Sequence, residues 1–249
     1  TGNVSRLCIL VGGSMGRSEE SYGETPEAIC EGAGFYRTSV LRHYDWWVHG
    51  VSNALIWRVP TGKLTQLYRQ NMTACHLEVG VGTGKFLSKA LSREWGGELL
   101  LVDGSHDCLE WATRRLERQG IQVASSLQVD LSSSASTMIA SEPKFQSAGL
   151  NYVLHCLSGQ IAKDRAVQFV RRLLCPTGAL FGSTLIGTPS TPFLPARWLE
   201  RRYQNLGIFN NQNDSVESVR QLLDNHFEDV SCRQYGRAVF FRATIPKAD

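Results

Sequence analysis

The chain has 249 residues, 42% of them hydrophobic, and a formal net charge of +3 from basic and acidic side chains that are scattered along it. That is enough apolar material for one well-buried α/β domain, too even a composition for disorder, and no lysine/arginine stripe of the kind nucleic acid demands. No apolar run reaches the length of a membrane span, and the seven cysteines are spread without a C-x-x-C pair, which fits reduced thiols in the cytoplasm better than disulfides or a metal site.

Residues 1–34, rich in Gly, Ser and Glu and with their first methionine at Met15, read as a loose leader without functional content. Residues 35–72 are helical in pattern and unusually aromatic. Pro60 and Gly62 interrupt them, so two or three helices are expected, forming a cap. "ACHLEVG" then reads as a buried strand, and "GKFLSKALSREW" has the apolar spacing of a helix. "ELLLVDGS" is a second strand ending in an acid, followed by the helix "HDCLEWATRRLERQG" closed by Gly120.

"SLQVDLSS" is a third strand leading into a short helix, and "SAGLNYVLHCLSG" a fourth strand running into a loop. A helix "KDRAVQFVRRLL" precedes Pro176 and a fifth strand, "TGALFGSTLIG". Two more helices, "PARWLERRYQNLGIF" and "SVESVRQLLDNHF", lead to a terminal hairpin around Gly236. The alternation predicts an α/β, Rossmann-like, doubly wound sheet of seven strands, the last antiparallel. One domain is expected over 35–249, with the helical cap at 35–72 and a lid-like insertion at 187–212.

The stretch "HLEVGVGTGKFL" carries three glycines at alternate positions. A phosphate-binding P-loop would need glycine at Val79 and a hydroxyl at Phe86, and the dinucleotide fingerprint would need glycine at Lys85. What remains is E-x-G-x-G-x-G, from Glu78 through Gly80, Gly82 and Gly84. Glycines there allow a close backbone approach by a ligand at a strand end. The acid disfavours a pyrophosphate and suits a ligand with ammonium and sulfonium groups. Asp103, ending the second strand, is placed to accept both hydroxyls of a ribose, and Asp130 to accept from an adenine amino group.

With these residues, "LEVGVGTGKFL", "LLVDGS" and "LQVDLSS" resemble the first three motifs of class I S-adenosylmethionine-dependent methyltransferases. The rest, over roughly 35–245, is similar to a small-molecule subgroup common near microbial and fungal natural-product gene clusters. The resemblance implies S-adenosyl-L-methionine as cofactor, S-adenosyl-L-homocysteine as product, and a small-molecule acceptor methylated most simply on oxygen. It implies that Glu78, Gly80, Gly82 and Gly84 face the methionine and ribose portions and that Gly104 and Ser105 flank Asp103. Asp130 and Leu131 would frame the adenine, and Asn151 and Tyr152 would approach the sulfonium. Tyr44 in "HYDWW" resembles an N-terminal tyrosine that relatives place over the methionine part. Lys85 departs from the pattern, where relatives often carry an aromatic or small residue.

His155, just past the fourth strand, is the candidate base, because imidazole titrates near neutrality. Trp47, His49, Trp57, Tyr203 and Phe209 are candidates for the acceptor side. Each has a plainer reading: the glycines as a tight turn, Asp103 and Asp130 as helix caps, the aromatics as core, His155 as a packed residue. Neither metal, membrane nor nucleic acid is expected as a partner. Two alternatives to small-molecule methylation stay open: a cofactor pocket used for a pericyclic or cyclisation step, and a protein methyltransferase or non-catalytic subunit.

Overall fold

The structure is a computed structural model, described over residues 61–133, 145–187 and 194–247. Most of the expected cap, including Tyr44, Trp47, His49 and Trp57, lies outside the described residues, as does the short helix expected after the third strand.

Helix α1 (Thr61–Asn71) leads into β1 (Cys75–Val79), α2 (Lys85–Ala90), β2 (Glu98–Asp103), α3 (His106–Glu117) and β3 (Ser125–Gln128). After these come β4 (Phe145–Asn151), a 3-10 turn (Leu154–Cys156), α4 (Gly159–Leu173) and β5 (Leu174–Leu185). The chain continues with α5 (Leu194–Asn205), α6 (Val216–Asp224), β6 (Phe227–Tyr235) and β7 (Ala238–Pro246). The seven strands form one sheet in the order β3-β2-β1-β4-β5-β7-β6. β1 to β5 are parallel to one another, and β7 slots between β5 and β6 antiparallel to both. The doubly wound sheet and its antiparallel ending are as the sequence predicts.

Central strands buried on both faces favour continuous apolar runs, which β2 supplies from Leu99 to Val102, whereas β1 and β4 bury His76, Glu78, Ser147 and Asn151 among their apolar residues. One face packs Ala166, Val167 and Val170 of α4 with Leu222 and Leu223 of α6. The opposite face packs Leu64 and Tyr68 of α1, Phe86 and Leu87 of α2, and Leu109, Ala112 and Leu116 of α3. Ser105 caps α3, its hydroxyl accepting from Cys108 N at 3.4 Å, and Ser215 with Ser218 makes a reciprocal capping box on α6.

Three boundaries differ from the expected ones. α2 stops at Ala90, with Leu91 already extended, because the chain must turn back through Gly96 and Gly97 to lay Glu98 N against Ala74 O at 2.6 Å. β5 begins at Leu174, before Pro176. The proline falls where the β4–β5 register shifts between Phe145 and Ser147, an irregularity that tolerates its missing N–H. β3 ends at Gln128, so Asp130 lies in the turn beyond the strand.

Candidate functional site

The carboxyl ends of β1, β2 and β4 converge on one cavity, at the edge where doubly wound sheets place ligands. Gly80, Gly82 and Gly84 all adopt positive φ, 70°, 52° and 67°, so an L side chain would strain the turn at each. A Cβ at Gly80 would strike Val153, and one at Gly84 would press on Ala112 of α3. Gly80 and Gly82 line the cavity, whereas Gly84 does not and serves the packing of α2 on α3.

Glu78 is 2% exposed and faces the cavity from the end of β1. Tyr68 of α1 donates its phenolic hydrogen to Oε1, and His76 Nε2 lies 3.1 Å from Oε2. Burial first, then the Glu78 charge, holds the Tyr68 phenol well above its usual pKa, so it stays a donor. Gly149, cross-strand from Glu78, leaves the space that the carboxylate fills.

Asp103 Oδ2 accepts from Gly82 N and Oδ1 from Ser105 N, both at 2.9 Å. Each oxygen keeps acceptor capacity for a further donor, as two vicinal hydroxyls require. Burial raises its pKa, and the backbone N–H groups of Gly82, Ser105 and Gly104 pull back against that rise. Cys108 lines the same wall, and burial reinforced by the Asp103 charge pushes its thiol up to about 12. It remains protonated and a poor nucleophile beside any electrophile in the cavity.

Asp130 is exposed at the cavity mouth, its Oδ1 held by Ser132 N at 2.9 Å and Ser132 Oγ at 2.6 Å, with Leu131 buried beside it. Asn151 and Tyr152 form the β4 wall. Asn151 Oδ1 accepts from Ser183 Oγ at 3.0 Å, while Nδ2 is buried and has no hydrogen-bond partner among the described residues. Tyr152 is held at φ 59°, a costly conformation for an aromatic residue, and its buried hydroxyl has no described partner either. Two orphaned polar atoms, a glycine cradle, one buried acid and one half-buried acid fit a cationic nucleoside ligand: Asp103 suits the ribose, Glu78 the cationic end and Asp130 with Leu131 the base.

His155 lies behind this wall and does not line it. It is 4% exposed, with Thr184 Oγ1 at 3.4 Å from Nδ1 and edge contacts to Tyr152 and Phe209 at 5.9 and 4.8 Å between centroids. Burial, then the nearby Lys163 charge, lowers its pKa to about 3. Tyr203 and Phe209 pack on one another at 5.0 Å in the same second layer, and their neighbour Ile208 reaches the cavity.

Sequence reasoning did not single out Tyr68, Cys156, Leu157 or Ile208 as site residues, although all four line the cavity. For Tyr68 the available signal was its place one turn after Leu64 on the apolar stripe of α1. Lys85 also lines the wall.

The chain matches a family model described as a methyltransferase domain over residues 77–182. It is 34% identical over 228 residues to methyltransferase ctvB of Aspergillus terreus, covering 87% of this chain and 96% of that protein. It is 30% identical to the physcion biosynthesis cluster O-methyltransferase of Aspergillus chevalieri, covering 87% and 96%. Among solved structures it resembles an O-methyltransferase family protein from Burkholderia thailandensis, with a TM-score of 0.64 and 14% identity over 86% of this chain and 62% of that one.

Proposed function

The chain belongs to the class I S-adenosylmethionine-dependent methyltransferases, and on that footing we propose that it methylates an oxygen of a small, partly apolar acceptor of secondary metabolism. The observation that carries the reading is a single cavity on which Glu78, Asp103 and Asp130 meet the glycine turn and the orphaned Asn151 amide. Names given to the similar fungal proteins support oxygen as the atom methylated.

When bound, the cofactor supplies an electrophilic methyl group on a sulfonium that is itself a good leaving group. Asp103 takes the ribose hydroxyls, Asp130 and Leu131 hold the adenine, and Glu78 attracts the cationic end. Asn151 and Tyr152 set the edge of the pocket where the acceptor enters. Phe86, Val153, Leu157 and Ile208 give that edge an apolar lining, which excludes water and suits an aromatic or aliphatic acceptor. Tyr203 and Phe209, packed on one another, stiffen that edge from behind Ile208.

His155 acts here by holding Phe209 and Tyr152, because a ring whose conjugate acid forms only near pH 3 is a weak base. Alignment of acceptor and methyl then supplies most of the rate, and a carboxylate or an acidic phenol arrives already ionised. The seven cysteines, spread along the sequence without a C-x-x-C pair, support a reducing, cytoplasmic setting.

The test is incubation with methyl-labelled cofactor and a panel of small phenols and carboxylic acids. Mass spectrometry should find the label on acceptor oxygen, and Asp103→Asn should weaken S-adenosylhomocysteine binding roughly 10- to 100-fold. Calorimetry in which the pure protein binds neither donor nor product would sink the reading. A transformed acceptor that gains no label would instead favour ring-closing chemistry.

A further inference from the structure

Beneath the glycine turn, a row of hydrogen-bonding groups crosses the sheet from its rear edge to the cavity. His76 and Glu78 are two apart on β1 and share a face, and their partners on β4 are Ser147 and Gly149. The His76 ring is fully buried and stacks on Phe181 at 5.6 Å between centroids. Its Nδ1 is 2.8 Å from Ser147 Oγ and its Nε2 is 3.1 Å from Glu78 Oε2. Ser147 Oγ accepts from Thr73 N at 2.9 Å and lies 2.9 Å from Thr73 Oγ1, which is 3.1 Å from Cys75 O. The row runs Thr73, Ser147, His76, Glu78, Tyr68. Thr73, at its rear end, is half-buried, so solvent reaches the row from the side away from the cavity.

Counting hydrogens gives this row two arrangements. In one, Thr73 donates to Ser147, Ser147 donates to Nδ1, and Nε2–H donates to the ionised Glu78. His76 is then neutral and the pair carries one negative charge. In the other, Thr73 donates to Cys75 O, Ser147 donates to Thr73, and Nδ1–H donates to Ser147. Nε2 must still share a hydrogen with Glu78, so the pair holds one more proton and carries no net charge. Both arrangements satisfy every contact from Ser147 to Glu78, the first withdrawing the Thr73 hydroxyl hydrogen from Cys75 O, and they differ by two hydroxyl rotations and one proton. In both, Tyr68 donates to Oε1. The titratable groups facing the pair from other elements are Tyr68 of α1 and, across the same cavity, Lys85 of α2, Asp103 of β2, Cys108 of α3, Asp130 beyond β3 and Tyr152 beyond β4.

We infer that His76 is a positioning residue for the methyl donor: it holds the Glu78 carboxylate toward the cavity and lets the pair switch between one negative charge and none as the Ser147 and Thr73 hydroxyls reverse. The inference rests on the methyl-donor assignment above. The donor carries the sulfonium charge that its demethylated product lacks, so it favours the negative arrangement more than the product does. A proton therefore leaves through Thr73 when the donor binds, and donor is preferred over product more strongly at high pH than at low pH.

The experiment is calorimetry with S-adenosylmethionine and S-adenosylhomocysteine, in two buffers of different ionisation enthalpy, between pH 5.5 and 8.5. Wild type is compared with His76→Gln and with Ser147→Ala, which keeps the imidazole and removes its Nδ1 partner. Wild type should release protons on binding the donor, with donor affinity falling by up to about tenfold per pH unit below the transition. Both variants should lose that release, and His76→Gln should bind the donor about tenfold more weakly at pH 8. Comparing variant with wild type cancels titration of the ligand and of Asp103. ¹⁵N spectra of histidine-labelled wild type should show His76 changing protonation on donor binding. Equal proton release in all three proteins, or a His76 signal that the donor leaves unmoved, overturns the inference while leaving the cofactor assignment standing. Wild type that binds neither ligand overturns that assignment and this inference with it.

Discussion

The acids of this site do different work because their surroundings differ, and the same holds for its histidines. Asp103 is fastened by two backbone N–H groups, while Glu78 is fastened by side chains from another helix and from its own strand. His155 is buried where the neutral ring is favoured, with protonation deferred to about pH 3 against an ordinary value of 6.5. The unfolded chain therefore takes up a proton below pH 6.5 that the folded chain refuses. The stability His155 contributes is complete above that pH and is lost as pH falls from 6.5 toward 3, at up to about 1.4 kcal/mol per unit. His155→Phe should flatten the acid side of the stability profile, read as urea midpoints at pH 7.5, 5.5 and 4.5. Parallel profiles for variant and wild type would contradict this. Sequence spacing was enough to pick out Glu78 and Asp103, since a strand end announces itself locally, and it found Asp130 on the cavity mouth although β3 ends before it. It could not separate Gly80, on the wall, from Gly84, behind it, because that depends on where α3 lies.

At the level of elements, the segment between β5 and β6 is tied down at both ends by buried ion pairs. Glu200 of α5 meets Arg237 Nη2 at 2.5 Å, and Arg237 reaches Ile186 O at 3.4 Å. Lys163 of α4 meets Asp214 at 2.5 and 2.6 Å and also bonds Asn210 O at 3.0 Å. Asn210 N in turn bonds His155 O at 2.7 Å, just beyond the residue, Ile208, that reaches the cavity. Lys163→Met leaves Asp214 buried without its cation and should cost about 3–5 kcal/mol, whereas Lys163→Met with Asp214→Leu should recover most of that loss. Denaturant unfolding of the two proteins decides it, and a double variant as unstable as the single would show that Asn210 and not the charge pair is the anchor. Such pairing is invisible in sequence, because Lys163 and Asp214 are 51 positions apart and each reads alone as a solvated charge.

For the whole molecule, the strand–helix rhythm was legible because a doubly wound parallel sheet leaves its period in the chain, and the hairpin around Gly236 was legible from its turn. The edges of α2, β3 and β5 were not, since they answer to contacts made elsewhere, at Ala74, at Asp103 and at Phe145. A fold whose central acids and glycine turn all point into one cavity is one in which ligand and folded state are coupled. A ligand at 100 times its dissociation constant adds about 2.7 kcal/mol to stability, which for a chain of this size raises the melting temperature by roughly 5–10 °C. S-adenosylhomocysteine should give that shift in a thermal scan. NAD should give none, because Lys85 occupies the place of the third glycine in the dinucleotide fingerprint. Asp103→Asn should require far more ligand for the same shift, without lowering the unliganded melting temperature below what the loss of one of its two backbone hydrogen bonds explains. A shift with NAD equal to that with S-adenosylhomocysteine would mean that the cavity reads only the shared adenosine, and that Glu78 has no part in choosing the ligand.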